Sequence, residues 1–323
     1  MTPVSTTTIP TVSTAIKTRS DILPQITAFK NRMGITKDTI SVKNHEDILK
    51  YAVNKAYIDM QPRTIKGHNI SLTEPLRKKL ADRFCDYFKD PAPSTESDFD
   101  KIHSKFCGDF LTELNKIFTS APQEFGKAQK VINMAFKYLY CFDDAPLYPD
   151  HFKHCHMPID SYTLNWCFDN FAKKNYKKSD IPNWSTLKES DYDILCAGIR
   201  TKLTPQSPLI EEFDIWPEEK AKANEINFIK TIMDYIADNY DLFSSSGITS
   251  SGITSSGISS GPIKPYVEKT VKNKVNTIKN DRRKDGKSDL NETTVLSMLS
   301  SISTSALIAE IAKCISVAKI LSK

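Results

Sequence analysis

Glycine is scarce in the first three quarters of this 323-residue chain. Ten glycines occur in all, and five of them, Gly247, Gly252, Gly257, Gly261 and Gly286, lie after residue 243. Turn-dense β folds and phosphate-binding loops both depend on glycine, because it adopts positive φ angles without steric cost. The scarcity therefore argues against both and favours a helical fold.

Apolar residues recur at helical spacing through the same region. The steps of three and four are clearest in the run Phe99, Ile102, Phe106, Phe110, Leu114 and Ile117. This spacing places the apolar side chains on one face of a helix. Asn44, and Ser97 or Asp98, stand where N-cap residues are expected. The sequence predicts an all-α protein with a compact multi-helix body.

The chain divides into four segments by composition. Residues 1–20 are rich in Thr, Ser and Pro and are predicted to be a disordered lead, and residues 21–243 form the helical body. Residues 244–262 repeat Ser, Gly, Ile and Thr and predict a flexible linker, because they bury too little apolar surface to offset backbone entropy. Residues 263–323 are predicted to be a two-helix tail.

The tail carries the positive charge of the chain. From Lys264 to Lys287, seven lysines and two arginines face three acids, a net +6, while the whole chain has +5. Such a helix suits nucleic acid, an acidic protein surface or anionic lipid. The candidate nucleic-acid contacts in the tail are Lys269, Lys272, Lys279, Arg282 and Arg283.

The last segment, residues 291–321, is mostly apolar and interrupted by serine and threonine. It predicts self-association or packing on a neighbour, and membrane association through this helix is the alternative.

The seven cysteines are odd in number and scattered, which indicates no disulfide framework and a reducing, cytoplasmic location.

A histidine-rich loop follows the central predicted helix. His151, His154 and His156 lie within six residues, and Cys141 precedes them. Imidazole and thiolate are the usual zinc ligands, so these four residues are a possible zinc site. No CxxC pair accompanies them, and the alternative is a helix-entry loop with packed, hydrogen-bonded histidines. No other cofactor is predicted.

Three lysines share one face of the central helix, which we expect to begin at Pro122. Lys127, Lys130 and Lys137 lie opposite its apolar face. A lysine stripe can follow a phosphate backbone, so these residues are predicted to contact nucleic acid. The alternative is an ordinary solvated helix face.

Gly126-Lys127-Ala128, followed by Pro158-Ile159-Asp160, resembles the corresponding parts of helix-hairpin-helix DNA glycosylases. The resemblance covers about 35 residues and implies Lys127 as nucleophile and Asp160 as its carboxylate partner. The Gly-x-Gly hairpin of that family is absent, and the interval between the two residues is longer. Alternatively, Asp160 is the N-cap of the next helix.

An acidic cluster surrounds Pro217, which is predicted to open a helix. The cluster could hold magnesium, or could simply favour a helix N-terminus, and it comprises Glu211, Glu212, Asp214, Glu218 and Glu219.

The leading interpretation is a non-enzymatic helical binding protein, whose body recognises a partner and whose tail favours an anionic one. A nucleic-acid enzyme using residues 126–160 is the alternative, and a membrane-surface protein is the second.

Overall fold

The computed structural model describes residues 16–35, 44–172 and 182–238, with side chains as far as Ala223. Within these ranges every regular element is helical and no strand occurs, so the all-α prediction is confirmed. The nine α-helices described are α1 (Leu23–Arg32), α2 (His45–Asp59), α3 (Glu74–Lys89), α4 (Glu96–Ile117), α5 (Phe125–Cys141), α6 (Pro149–Phe152), α7 (Ser161–Asn170), α8 (Glu189–Leu203) and α9 (Pro208–Asp238). The chain divides into two units between Glu219 and Lys220, inside α9.

Helix α5 is the centre of the first unit. All 17 of its residues are buried, and α2, α4 and α8 pack against it. Its core side includes Phe136, which makes edge contacts with Phe84 of α3 at a ring-centroid distance of 4.9 Å. A helix covered on every side is wholly removed from water, so its polar residues must find partners within the protein.

The first turn of α5 depends on Gly126. Its N–H donates to the carbonyl oxygen of Leu187 at 2.9 Å. A Cβ atom at this position would lie 1.8 Å from the carbonyl oxygen of Trp184. The turn at Trp184–Thr186 therefore crosses α5 at a distance that only glycine permits. This packing accounts for Gly126 without any catalytic hairpin.

Several helix starts follow local hydrogen bonding. Asn44 is confirmed as the N-cap of α2, since its side chain accepts from the Asp47 N–H at 3.0 Å. Helix α4 begins earlier than predicted, because Thr95 accepts from the Asp98 N–H at 3.1 Å and takes the cap position. Helix α5 begins at Phe125, later than Pro122, because the Asn115 side chain holds both backbone groups of Gln123.

The prediction that Pro217 opens a helix is wrong. Helix α9 runs continuously from Pro208 and holds Pro217 in its interior. Buried residues flank the proline, Phe213 one turn before it and Glu219 two residues after it. Tertiary packing on both sides therefore outweighs the hydrogen bond that proline removes.

The predicted disordered lead contacts the body at its end. Lys17 Nζ lies 2.8 Å from Glu211 and 3.1 Å from Asp214, and Arg19 donates to the carbonyl oxygens of Tyr140 and Phe142. Ordered contacts thus begin before residue 21. Residues 1–15, the predicted linker and the predicted tail lie outside the described residues. None of the described helices combines the length and apolar character needed to cross a bilayer.

Candidate functional site

The three lysines of α5 are buried rather than solvent-facing. Lys127, Lys130 and Lys137 are 8%, 6% and 2% exposed. The predicted exposed stripe is therefore corrected, because other segments cover the face that the helical pattern assigns to water, with carboxylates at Lys130 and Lys137 and with Thr64 and Trp184 at Lys127. The three side chains do not form a surface that could follow a phosphate backbone. Nucleic-acid contact stays a prediction only for the tail residues, outside the described part of the chain.

Lys137 forms a buried ion pair with Glu212 of α9. Both side chains are almost inaccessible, and Lys137 Nζ also lies 4.3 Å from the ring centroid of Phe29 and 4.6 Å from that of Phe213. Burial raises the pKa of Glu212, and Lys137 opposes that rise. The pair joins α5 to α9, and the cation lies between two aromatic rings.

Asp160 pairs with Lys130 at 2.8 Å, not with Lys127. The same carboxylate accepts from the Trp216 indole N–H at 2.8 Å and from the Tyr162 N–H at 2.9 Å. It also joins Thr163 in a capping box, which confirms Asp160 as an N-cap, here of α7. Burial acts to raise the pKa of Asp160, but Lys130 and the hydrogen bonds lower it.

Lys127 has a separate environment. Its ammonium group donates to Thr64 Oγ1 at 3.0 Å and lies 5.8 Å from the ring centroid of Trp184, and burial lowers its pKa. The predicted nucleophile and its predicted carboxylate are therefore not brought together. Asp160 is occupied as a helix cap and as the partner of Lys130, which explains the residue without catalysis.

The four predicted zinc ligands turn to different partners. His151 Nε2 lies 3.0 Å from the Asp90 carbonyl oxygen, while His154 borders a surface groove. His156 is buried in a hydrogen-bond network, and Cys141 is buried in the core. Among the described residues, no three His, Cys, Asp or Glu side chains form a group that could hold a metal ion. The four predicted zinc ligands therefore do not form a metal site within the described residues.

His156 is the centre of a buried polar network. Its Nδ1 lies 2.8 Å from the Tyr192 hydroxyl and its Nε2 lies 2.8 Å from Asp100, which Arg200 also binds through two nitrogens at 2.6 and 2.7 Å. Burial acts to lower the pKa of His156, but Cys196 and Asp100 raise it to about 9. The pKa of Asp100 is held below its usual value, because Arg200 and His156 outweigh its burial.

The protonation of His156 follows from the charges around it. Arg200 lies 2.8 Å from Nε2, but a guanidinium cannot accept a hydrogen bond. Asp100, at the same distance, accepts readily, so an Nε2–H directed at the carboxylate is favoured. Arg200 then shares Asp100 with the imidazolium. The cluster links α4, α8 and the loop before α7 through charge.

Cys196, His156 and Asp100 resemble the order of a nucleophile, base and orienting acid. Cys196 Sγ is 3.7 Å from His156 Nδ1, but the Tyr192 hydroxyl occupies that nitrogen at 2.8 Å. The thiol is also buried, away from any approaching substrate. The arrangement is therefore a packed polar core. No sequence motif predicts this network, because its members come from three segments that are distant along the chain.

An open groove lies beside this network. Its volume is about 770 Å³, and it is bordered by the segment before α1, by α6 and by the loop from α8 to α9. Its apolar lining includes Ile16, Leu23, Phe152, Pro205 and Ile210, and its polar lining includes Arg19, Glu96, Asp150, Lys153, His154, Arg200 and Ser207. Of the predicted site residues only His154 borders it, and no spacing in the sequence brings these segments together.

Two polar atoms of the groove residues lack hydrogen-bond partners within the described part of the chain. They are His154 Nε2 and Ser207 Oγ, and both are shielded from solvent. A buried polar atom without a partner destabilises a protein by about 1–3 kcal/mol. A bound molecule that supplied a donor and an acceptor here would relieve that cost.

No protein-family model, curated protein or solved structure matches this chain. Function is therefore inferred from contacts, burial and charge. Within the described part of the chain, this groove is open to a partner and incompletely satisfied, whereas the Lys130–Asp160, Lys137–Glu212 and His156 networks are closed.

Proposed function

We propose that the protein is a non-enzymatic binding protein, whose groove recognises an uncharged apolar polypeptide segment of a partner. The observation that carries the proposal is an open apolar groove in which His154 Nε2 and Ser207 Oγ lack partners. Ligand sites are typically concave and mostly apolar, with a few polar groups that fix orientation. This groove is open, which suits an extended polypeptide better than a small molecule that a site would have to enclose.

The apolar part of the site is accessible. Ile16 is 62% exposed and Leu23 is 49% exposed, and both line the groove. Leu147 is 72% exposed and follows the lining residue Pro146. Covering such side chains stabilises a complex by about 25 cal/mol for each Å² of apolar surface removed from water.

The groove is lined by three cations, Arg19, Lys153 and Arg200, and by two acids, Glu96 and Asp150, and this small net charge favours a mostly uncharged segment. Arg200 is bound by Asp100 and lies 3.5 Å from Glu96, so its charge is already compensated. Lys153 and Asp150 are both exposed at the rim, and they contribute opposite charges. The guanidinium of Arg19 already donates to backbone carbonyl oxygens, so a charged partner side chain would lose hydration in the groove for little gain.

The polar atoms suit backbone groups. Burial and the charge of Lys153 lower the pKa of His154, so its neutral ring keeps a nitrogen that can accept a hydrogen bond. A small rotation of these side chains toward the groove would let a peptide N–H donate to His154 Nε2 and let a peptide carbonyl accept from the Ser207 hydroxyl. An extended segment carries both groups at regular intervals.

The buried networks make the groove walls rigid. Asp100 holds Arg200 on α8, while Arg19 is tied to the end of α5 and Lys17 to α9. A preorganised site loses little conformational freedom when a partner binds. In this proposal the charged core supports recognition and takes no part in chemistry.

The test uses selection from a phage-displayed library of random 12-residue peptides on the full chain. We expect enrichment of uncharged, apolar sequences, whose affinity falls at least tenfold for Ile16→Lys. The matched control is Ile194→Lys, which changes an isoleucine of similar exposure outside the groove lining. Enriched peptides that bind Ile16→Lys as tightly as the control variant would show that the groove is not the recognition site.

The tail supplies a second proposed contact. Lys269, Lys272, Lys279, Arg282 and Arg283 suit an anionic partner such as nucleic acid, and residues 291–321 suit self-association. A salt titration with DNA and RNA, on the full chain and on residues 1–243, tests the first point. Steep salt dependence that vanishes without the tail supports it, and equal binding by both forms contradicts it.

A cytoplasmic location is likewise proposed. The six described cysteines are free thiols, which is what a reducing compartment favours.

A further inference from the structure

We propose that a second surface, on residues 58–79, docks on an anionic membrane surface. This surface, the basic edge, comprises the end of α2, the connecting residues and the start of α3. It combines exposed aliphatic side chains with exposed cations, the two features of a peripheral membrane contact.

Three aliphatic side chains of the basic edge are turned to solvent. Ile58, Ile70 and Leu72 are 57%, 43% and 55% exposed. Arg77 connects them, because its guanidinium donates both to Asn54 Oδ1 and, at 3.2 Å, to the Ile70 carbonyl oxygen. Asn54 lies one helical turn before Ile58 on the same face of α2. These contacts bring Ile58 and Ile70 to one edge of the fold, and the exposed Leu72 follows two residues after Ile70.

Cations surround these aliphatic side chains. Arg63, Lys66 and Lys78 are exposed, and residues 60–73 contain no Asp or Glu. Over residues 58–79, five lysines and arginines face two acids, a net +3. One of those acids, Asp59, is half-buried and bound by the Tyr138 hydroxyl, while one of the cations, Lys79, is paired with Glu113 at 3.2 Å. These two effects offset each other, so the surface stays basic.

The connecting residues are held in a defined conformation. Gln61 and Gly67 have φ angles of 55° and 77°, which mark two sharp turns on either side of Lys66. Between the helices, the His68 ring packs 5.9 Å from Tyr57 and 5.8 Å from Phe118, measured between centroids. The exposed groups are therefore presented by an anchored loop, with little ordering left to occur on docking.

A bilayer fits this combination better than nucleic acid does. Lysine and arginine can contact anionic headgroups while the aliphatic side chains enter the boundary with the acyl chains. A phosphate backbone would satisfy the cations but leave Ile58, Ile70 and Leu72 in water. The groove and the basic edge have no lining residue in common, so either proposal can fail without the other.

The test is co-sedimentation of the full chain with vesicles of phosphatidylcholine containing 30% phosphatidylserine, and with phosphatidylcholine alone. We expect binding to the anionic vesicles, lowered at least tenfold by Lys66→Glu/Lys78→Glu. The control, Lys105→Glu/Lys202→Glu, makes the same charge change at exposed sites away from the edge. Because the tail is common to both variants, equal binding by the two would overturn the proposal.

A second variant separates a membrane from other anions. Ile70→Ser/Leu72→Ser keeps every charge, and we expect it to lower vesicle binding severalfold while leaving any binding to duplex DNA unchanged. Circular dichroism spectra that match the wild-type spectrum establish that each variant is folded. If the serine variant binds anionic vesicles as tightly as the wild type, the edge is a general anion-binding surface and the membrane assignment is wrong.

Discussion

The lysines of α5 and the lysines of the basic edge are one residue type in opposite environments. Lys130 and Lys137 are buried and bound to carboxylates, whereas Lys66 and Lys78 are exposed. Both sets occur on or beside amphipathic helices, so the local pattern does not separate them. The difference teaches that the carboxylates of other segments decide where a lysine side chain lies.

The two regions also differ in what a lysine contributes. A buried ion pair must offset the desolvation of both charges, so losing one partner leaves an uncompensated charge in the core. An exposed lysine keeps its hydration, and its removal changes the fold little. Substitutions in the buried pairs should therefore destabilise the fold more than substitutions of the exposed lysines.

The Lys137–Glu212 pair should give the largest effect. Because each single change strands a buried charge, Lys137→Met and Glu212→Leu should each lower the free energy of unfolding by about 3–5 kcal/mol. The double variant removes both charges and should recover most of that loss. Urea denaturation followed by tryptophan fluorescence measures all three. A double variant no more stable than the single ones would contradict a direct pairing.

Asp160 should give the next largest effect. Asp160→Asn keeps hydrogen-bonding capacity but leaves Lys130 without its counter-charge, so we expect a loss of about 2–3 kcal/mol. Asp160→Ala also removes the cap of α7 and should lose about 1 kcal/mol more. The same denaturation experiment tests this order. Equal stability of the two variants would mean that the cap contributes nothing.

The His156 network predicts a dependence of stability on pH. The pKa of His156 is raised from 6.5 to about 9, so its contribution is fully present below pH 6.5 and is lost as pH rises through 9. We expect the free energy of unfolding to fall by roughly 3 kcal/mol over this window. His156→Gln should lack this fall. Parallel pH curves for the two proteins would show that His156 is neutral in the fold.

Lys127 should resemble the exposed lysines although it is buried. Its ammonium group bonds the neutral Thr64 hydroxyl, so Lys127→Met strands no carboxylate and should change stability by less than about 1 kcal/mol. Lys66→Met, the exposed control, should stay within about 0.5 kcal/mol. Thermal melts compare both with Lys137→Met. A loss at Lys127 as large as that at Lys137 would reveal a charge partner that the contacts do not explain.

Features governed by neighbouring residues were predictable. The all-helical fold followed from apolar spacing and scarce glycine, and the caps at Asn44 and Asp160 followed from residues within one turn. The start of α4 was displaced because Thr95, a competing cap nearby, takes the position. Such errors are small, since several adjacent polar residues can close the same helix end.

Features governed by distant residues were not predictable. Lys137 meets Glu212 across 75 residues, and Lys130 meets Asp160 across 30. An amphipathic pattern marks a polar face without stating whether water or another helix covers it. The sequence pattern therefore places the lysine face at the surface, and the glycosylase resemblance pairs Asp160 with Lys127 instead of Lys130. The groove was missed for the same reason.

The sequence by itself determined that the described part of the chain is helical, because helices depend on contacts between residues three or four positions apart. It also determined much of where helices begin, through side chains that bind nearby N–H groups. Only the tertiary structure decided which charges are buried, which histidines face the core and where a groove opens. Those outcomes depend on which helices meet, and a buried charge is stable only where a distant partner compensates it.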